Sequence, residues 1–227
     1  MTYEEAVTRL EIGLAAELPG EAAQLRLAPR PRHEWPSGFN PARIRLAAGL
    51  LLVYASLDVD DRDERARAAR DPRTASAAAR IVLTVRTETV RHAGQVSLPG
   101  GVVDPGETFD QAALREAHEE VALRDDDVRV IGALSPLDIP VSGFRLHPIV
   151  ATLPRRPSLH PSDGEVARIL EVDVDELLAP STLVETTRVR DGRTFDVPAF
   201  RVAGVDVWGA TAMILAEFLT VLGWSRP

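Results

Sequence analysis

The chain has 227 residues, 45% of them hydrophobic, which is ample for a good-sized core. Its formal charge of −8, from 34 acidic residues against 26 basic ones that are all arginine, argues against general affinity for nucleic acid or an acidic membrane surface. With that charge an anionic substrate must be met by a local cluster and metal rather than by a global field, and zero cysteines exclude disulfides and thiol catalysis. In chain order, Tyr3 to Leu18 carries Ala6, Leu10 and Leu14 at helical spacing and predicts an amphipathic helix. This start, with Glu4-Glu5, lacks the basic and apolar regions of a signal peptide, and no apolar run approaches a bilayer span. The cytoplasm is the expected compartment. A proline-rich connector runs from Pro29 to Pro41, and Leu46 to Tyr54 and Ile81 to Arg86 read as strands. Between those strands, the Asp/Arg/Ala-rich stretch from about 58 to 79 is expected to form a long charged hairpin insertion.

The most informative stretch is Gly101 to Leu123, a glycine loop feeding a short helix. Thr108 with Gln111 fits a capping box and Pro105-Gly106 is turn chemistry, so the helix is expected to begin near Phe109. At about 100° per residue, Glu116, Glu119 and Glu120 share about a quarter of the helix circumference. Like charges this close repel, and Arg115, four residues before Glu119, is placed to pair with that carboxylate and leave Glu116 and Glu120 for a hard cation. On the acidic side one turn earlier, the small side chains of Ala112 and Ala113 leave room for a loop, ion or phosphate. Leu114, Ala117 and Val121 form the opposite, apolar stripe. Pro99-Gly100-Gly101 is expected as a tight loop that brings bare backbone groups near the carboxylates. His118 points away from them, and His33, His147 and His160 show no zinc spacing.

Beyond the helix, Val128 to Leu134, Leu146 to Leu153 and Val166 to Val172 read as strands, and Val172 to Leu178 as a turn into a short helix. Asp191-Gly192 between Thr186–Arg190 and Thr194–Val202 is a hairpin signal, and Val207 to Leu222 reads as a C-terminal helix. The pattern predicts an α/β fold in one domain over residues 1–227, a mixed β-sheet sandwiched between helices.

Gly101, Glu107, Arg115, Glu116, Glu119, Glu120 and Leu123 all stand at the spacing of G-x5-E-x7-R-E-U-x-E-E-x-G-U, where U is bulky and aliphatic, and the segment resembles this Nudix box. Ala117 replaces the first bulky aliphatic, and Ala122 replaces the late glycine. The resemblance implies an α/β/α Nudix sandwich and a hydrolase that cleaves a nucleoside diphosphate linked to another moiety, using Mg²⁺ or Mn²⁺ and water. Upstream, Leu83-Thr84-Val85-Arg86 and Arg91-His92-Ala93-Gly94-Gln95-Val96-Ser97-Leu98-Pro99-Gly100-Gly101 resemble the signature of the coenzyme A pyrophosphatase branch. Thr87 and Leu98 depart from it, and the Arg91 to Gly94 interval is one residue short. Ser142-Gly143-Phe144 and the run from Val207 to Ala212 are similar to segments of the same branch.

The implied metal ligands are Glu116 and Glu120, with Glu119 and the Gly101 carbonyl as additions. Arg115 orients the carboxylates, and Glu107 either binds a second ion or braces Arg115. Glu116, Glu119 and Glu165 are the candidates for general base, with Glu165 read first as a surface carboxylate opening the next element. Coenzyme A adds a 3′-phosphate, for which Arg86, Arg91 and His92 are the expected cations, with Gln95 beside them as a further substrate-binding residue. The expected partner is a coenzyme A-like nucleotide, with nucleic acid and membrane excluded and a homodimer left open. ADP-ribose or NADH is the rival substrate, and a nucleotide-binding regulator without catalysis is the reading from another class.

Overall fold

A computed structural model of the protein describes residues 1–56, 77–87, 94–124, 126–162, 164–190 and 192–225. Most of the expected 58–79 insertion therefore lies outside the described residues. In chain order the main sheet is built from β1 (Arg45–Ala55), β2 (Ala79–Arg86), β3 (Val96–Ser97), β4 (Gly100–Val102), β5 (Arg129–Ala133), β6 (Leu137–Ile139), β7 (Phe144–Leu153) and β8 (Val166–Asp173). Its path is β3-β2-β1-β7-β5, with β4 on β1, β6 on β7 and β8 on β2. The pair β1–β7 is parallel and in register from Arg45↔Phe144 to Tyr54↔Leu153, whereas β1–β2, β2–β8 and β5–β7 are antiparallel. The sheet is mixed, as expected.

Strand β1 is buried from Ala47 onward because both of its faces are covered, which is why it reads as an unbroken apolar run. Leu51 and Val53 enter one core, and Leu50, Leu52 and Tyr54 enter the other. The helices are α1 (Tyr3–Leu14), α2 (Gly20–Gln24), α3 (Phe109–Val121), α4 (Val174–Leu178) and α5 (Ala210–Val221). Helix α3 packs on one face of the sheet through Ala112, Ala113, Ala117 and Val121. The other face carries α1 through Ala6 and Leu10, and α5 through residues such as Ile214, Leu215 and Phe218. A second, three-stranded sheet, β9 (Leu183–Arg190), β10 (Arg193–Val202) and β11 (Val205–Trp208), is ordered β11-β10-β9 and joins the α5 side through Phe200, Val202 and Val207.

Several expectations are corrected. The first helix stops at Leu14 rather than Leu18, since Ala15, Ala16 and Glu17 are exposed and a longer helix would bury nothing more. The C-terminal helix starts at Ala210 rather than Val207: Val205–Trp208 pairs with β10, and Gly209, at φ 64, makes the turn between strand and helix. Gly100-Gly101 is the short strand β4 rather than a free loop, and it pairs with β1 through Ala48↔Gly101. Ala112 and Ala113 leave no room for an ion: both are fully buried, and their small size lets α3 sit close to the sheet. The same need for a close approach explains Ala117 in place of a bulky aliphatic. Leu114, placed on the apolar stripe with Ala117 and Val121, is only partly buried.

Candidate active site

Helix α3 begins at Phe109 behind the expected capping box, in which Thr108 accepts from the Gln111 N–H and Gln111 accepts from the Thr108 N–H. Arg115 is the hub of the acidic face. It donates to Glu107 at 2.7 and 3.1 Å, to Glu116 at 3.0 Å, to Glu119 at 3.1 Å and to the Val102 carbonyl at 3.0 Å. The expectation of one tethered carboxylate and two free ones is thereby corrected, because Glu116 is held as well. Glu107, left open between two roles, braces Arg115 across the loop, and the Arg115 hydrogen bond holds its carboxyl below the usual range. Burial pushes the Glu116 carboxyl above the usual range, against the opposing pull of Arg115. Hydrogen bonding to Glu107 raises Arg115 further still, so it stays charged.

Glu120 is 5% exposed and accepts from the Gly100 N–H at 3.1 Å, with the Arg86 guanidinium 4.0 Å away. Arg86 also donates to Glu165 at 2.7 Å. Glu165 does open the next element as a half-exposed carboxylate, but it also stands at the site. Both glycines are needed for close approach: a Cβ on Gly100 would lie 2.3 Å from the Ala48 carbonyl oxygen, and one on Gly101 2.5 Å from the Glu116 carboxylate. His118 turns to the Leu123 carbonyl at 3.2 Å, away from the acidic face.

These groups open on a cleft of about 670 Å³. Glu116, Glu120, Gly101, Arg86, Gln95 and Glu165 line one part of it, and Glu119, with 52% of its side chain exposed, stays at the outer edge of the face. The remaining wall is largely apolar and comes from β6, β7, the second sheet and the start of α5, including Leu137, Phe144, Phe195, Trp208 and Met213. Arg45 lies 3.9 Å over the Phe144 ring, and Arg188 is 5.7 Å from the Trp208 ring centroid. Reading along the chain missed Arg32, Arg45 and Arg188 as cleft residues. No local spacing marked them, since Arg45 and Arg188 meet Phe144 and Trp208, and Arg32 meets Glu21, only through the tertiary fold. Arg91 and His92 lie outside the described residues.

Among the described residues, no three acidic or imidazole side chains gather in one coordination sphere. A divalent ion nevertheless fits. Mg²⁺ characteristically takes one or two carboxylates and completes its shell with water and substrate phosphate. The contact of Glu116 with the bare backbone of Gly101, and Glu120 alongside on Gly100, make a hard oxygen donor set of that kind.

Residues 69–190 match the family model described as NUDIX domain. Curated relatives include the uncharacterized Nudix hydrolase NudL of Citrobacter koseri, 39% identical over 145 residues, or 63% of this chain and 75% of that one. NudL of Photorhabdus laumondii, also uncharacterized, is 41% identical over 139 residues, 60% of this chain and 74% of that one. Among solved structures, a Nudix hydrolase from M. smegmatis, RenU, is 25% identical over 60% of this chain and 73% of that one, with a TM-score of 0.42. The chain belongs to the Nudix hydrolase family, pyrophosphohydrolases that act on nucleoside diphosphate derivatives and generally use divalent metal.

Proposed function

We propose that the protein hydrolyses the pyrophosphate bond of coenzyme A or its derivatives, giving 3′,5′-ADP and 4′-phosphopantetheine or its acyl form. The observation that carries this reading is the cleft, in which a carboxylate face continues into a long apolar and aromatic wall edged by arginines. A small nucleoside triphosphate has little use for such a wall, whereas a nucleotide joined to a long, mostly uncharged arm fits it. The residues before the box that resemble the coenzyme A branch, Leu83–Arg86 and Gln95–Gly101, support the same reading. Arg86, Gln95, Leu98 and Gly101 among them line the cleft.

In this reading Glu116, Glu120 and the Gly101 carbonyl hold Mg²⁺ or Mn²⁺, with Glu119 at the outer edge. Bound there, the metal supplies positive charge against the pyrophosphate oxyanions and makes the attacking water more acidic. Arg115 fixes the rotamers of Glu116 and Glu119, and Glu107 keeps Arg115 in place. Arg86 sits between Glu165 and Glu120, where it sets the spacing of these carboxylates and offers charge to the pyrophosphate. Gln95 contributes a neutral polar contact on the same wall. The water oxygen bonds to one phosphorus as the bond from that phosphorus to the bridging oxygen breaks; the bridging oxygen leaves with the other phosphorus, and the two water protons pass to the two phosphomonoester products or to solvent.

The test is incubation with Mg²⁺ or Mn²⁺ and a panel of coenzyme A, ADP-ribose, NADH and nucleoside triphosphates, with products identified by mass. Coenzyme A is expected to give the highest kcat/KM. Equal or greater efficiency on ADP-ribose would overturn the substrate assignment, and absence of turnover on every compound would favour a nucleotide-binding regulator.

A further inference from the structure

The arginines that line the cleft are not equivalent. Arg32 is paired with Glu21 at 2.8 Å, Arg86 with Glu165 at 2.7 Å and Arg188 with Asp206 at 3.1 Å. Arg45 has no carboxylate partner among the described residues. Its guanidinium donates to the Ser142 carbonyl at 3.3 Å and sits over the Phe144 ring, 3.9 Å from its centroid. A guanidinium seated over an aromatic ring loses none of its N–H donors to that contact and keeps the planar fork that matches a phosphate. In a chain with a formal charge of −8, a cleft arginine without a carboxylate partner among the described residues is a place for an anion.

The strand frame gives its distance from the reacting groups. Arg45 opens β1 and is pinned there by pairing with Phe144 on β7, while Ala48, three residues on, pairs with Gly101 beside the Glu116 carboxylate. At a rise of about 3.3 Å per residue, the Cα atoms of Arg45 and Ala48 are roughly 10 Å apart. The ribose that carries both a 3′-phosphate and the 5′-pyrophosphate fits within a gap of this size once the long arginine side chain reaches into it. We infer that Arg45, held over the Phe144 ring, is the specificity residue for a phosphate carried on the ribose of the substrate, one ribose away from the scissile pyrophosphate. In the coenzyme A reading on which this rests, that group is the 3′-phosphate. Of the three cations expected for this phosphate, Arg91 and His92 lie outside the described residues and Arg86 is engaged with Glu165 and Glu120, whereas Arg45 stands outside the matched family segment of residues 69–190.

Binding of 3′,5′-ADP and of 5′-AMP, measured by titration calorimetry in Mg²⁺ buffer, tests the inference without requiring turnover. The wild type is expected to bind 3′,5′-ADP about tenfold or more tightly than AMP, the scale of one charged hydrogen-bonded contact. Arg45→Gln should bring that ratio to about one, Arg45→Lys should give an intermediate ratio, and Arg43→Gln, on the exposed neighbouring residue, should keep the wild-type ratio. Circular dichroism checks that the variants fold. If Arg45→Gln does not, Phe144→Leu serves instead and should lower the ratio by releasing the guanidinium. A wild-type ratio near one, or a ratio that survives these changes, overturns the inference even if coenzyme A is cleaved. An Arg45-dependent ratio in a protein that does not cleave coenzyme A leaves the inference standing and removes the substrate reading instead.

Discussion

Glu120 has two jobs that a single substitution separates. Its carboxylate accepts the Gly100 N–H, and by proposal it also ligates metal. Glu120→Gln keeps an oxygen to accept that N–H and loses the charge, so the fold should survive while Mg²⁺-dependent turnover falls by roughly a hundredfold or more. Steady-state kinetics with circular dichroism checks it, and unchanged turnover would remove Glu120 from the ligand set. Gly101→Ala acts from the other side of the same site. The added Cβ would stand 2.5 Å from the Glu116 carboxylate, so Glu116 must shift, and a titration is expected to show the Mg²⁺ needed for half-maximal rate rising by roughly 10- to 100-fold. The crowding of carboxylates was legible along the chain because helical periodicity alone produces it. The grip of Arg115 on Glu107 and Glu116 was not, because Glu107 reaches it across a turn whose path no periodicity describes.

At the scale of elements, α3 ends on a strained residue. Ala122 caps it in the left-handed region at φ 55, ψ 31, where a Cβ is crowded and glycine is not. Ala122→Gly should therefore raise stability by about 0.5–1 kcal/mol, the relief of strain being partly offset by the greater freedom of glycine in the unfolded chain. Thermal unfolding checks it, and a lower midpoint would show that the left-handed cap carries no strain. Helix α5 contains a fully buried acid, Glu217, which accepts from the Gly20 N–H at 3.1 Å, the Ser135 N–H at 3.2 Å and the Gln24 amide at 2.8 Å. One carboxylate thus ties α2 and the segment after β5 to an apolar helix. Glu217→Ala strands these donors in the interior and is expected to cost roughly 2–4 kcal/mol by urea denaturation. Nothing in the sequence marked Glu217, since a lone glutamate in an apolar helix gives no sign of which distant backbone groups will meet it.

For the whole molecule, pH dependence follows from how the charges are placed. Glu107, Asp138 and Asp206 are held below the usual carboxyl range by hydrogen bonds from Arg115, Arg145 and Arg201 respectively. Their contribution to stability is complete above the unfolded values near pH 4 and is lost as pH falls through the lowered folded values. His147, lowered by burial and stacked on Phe109, has the same sign, with its contribution complete above about pH 6.5 and lost as acid protonates it. Glu116, raised by burial, runs the other way and loses its contribution as pH rises through its folded value. Glu171 joins the lowered carboxyls, the raising effect of burial being outweighed by hydrogen bonds from Arg156 and Tyr54. Among the described residues five groups oppose Glu116, so urea unfolding free energy is expected to decline from pH 7 to pH 3, and a rise on acidification would refute this balance. By itself the sequence determined the carboxylate helix with its cap, the apolar strands and the family, because each is written in local spacing that helix and strand periods decode directly. Only the tertiary structure decided that Ala112 and Ala113 are packing residues rather than space for an ion, that Glu165 stands at the cleft, and that Arg45 meets Phe144 on its wall. Those outcomes depend on which strands pair and how closely layers approach, and the parallel β1–β7 pairing joins residues about a hundred positions apart.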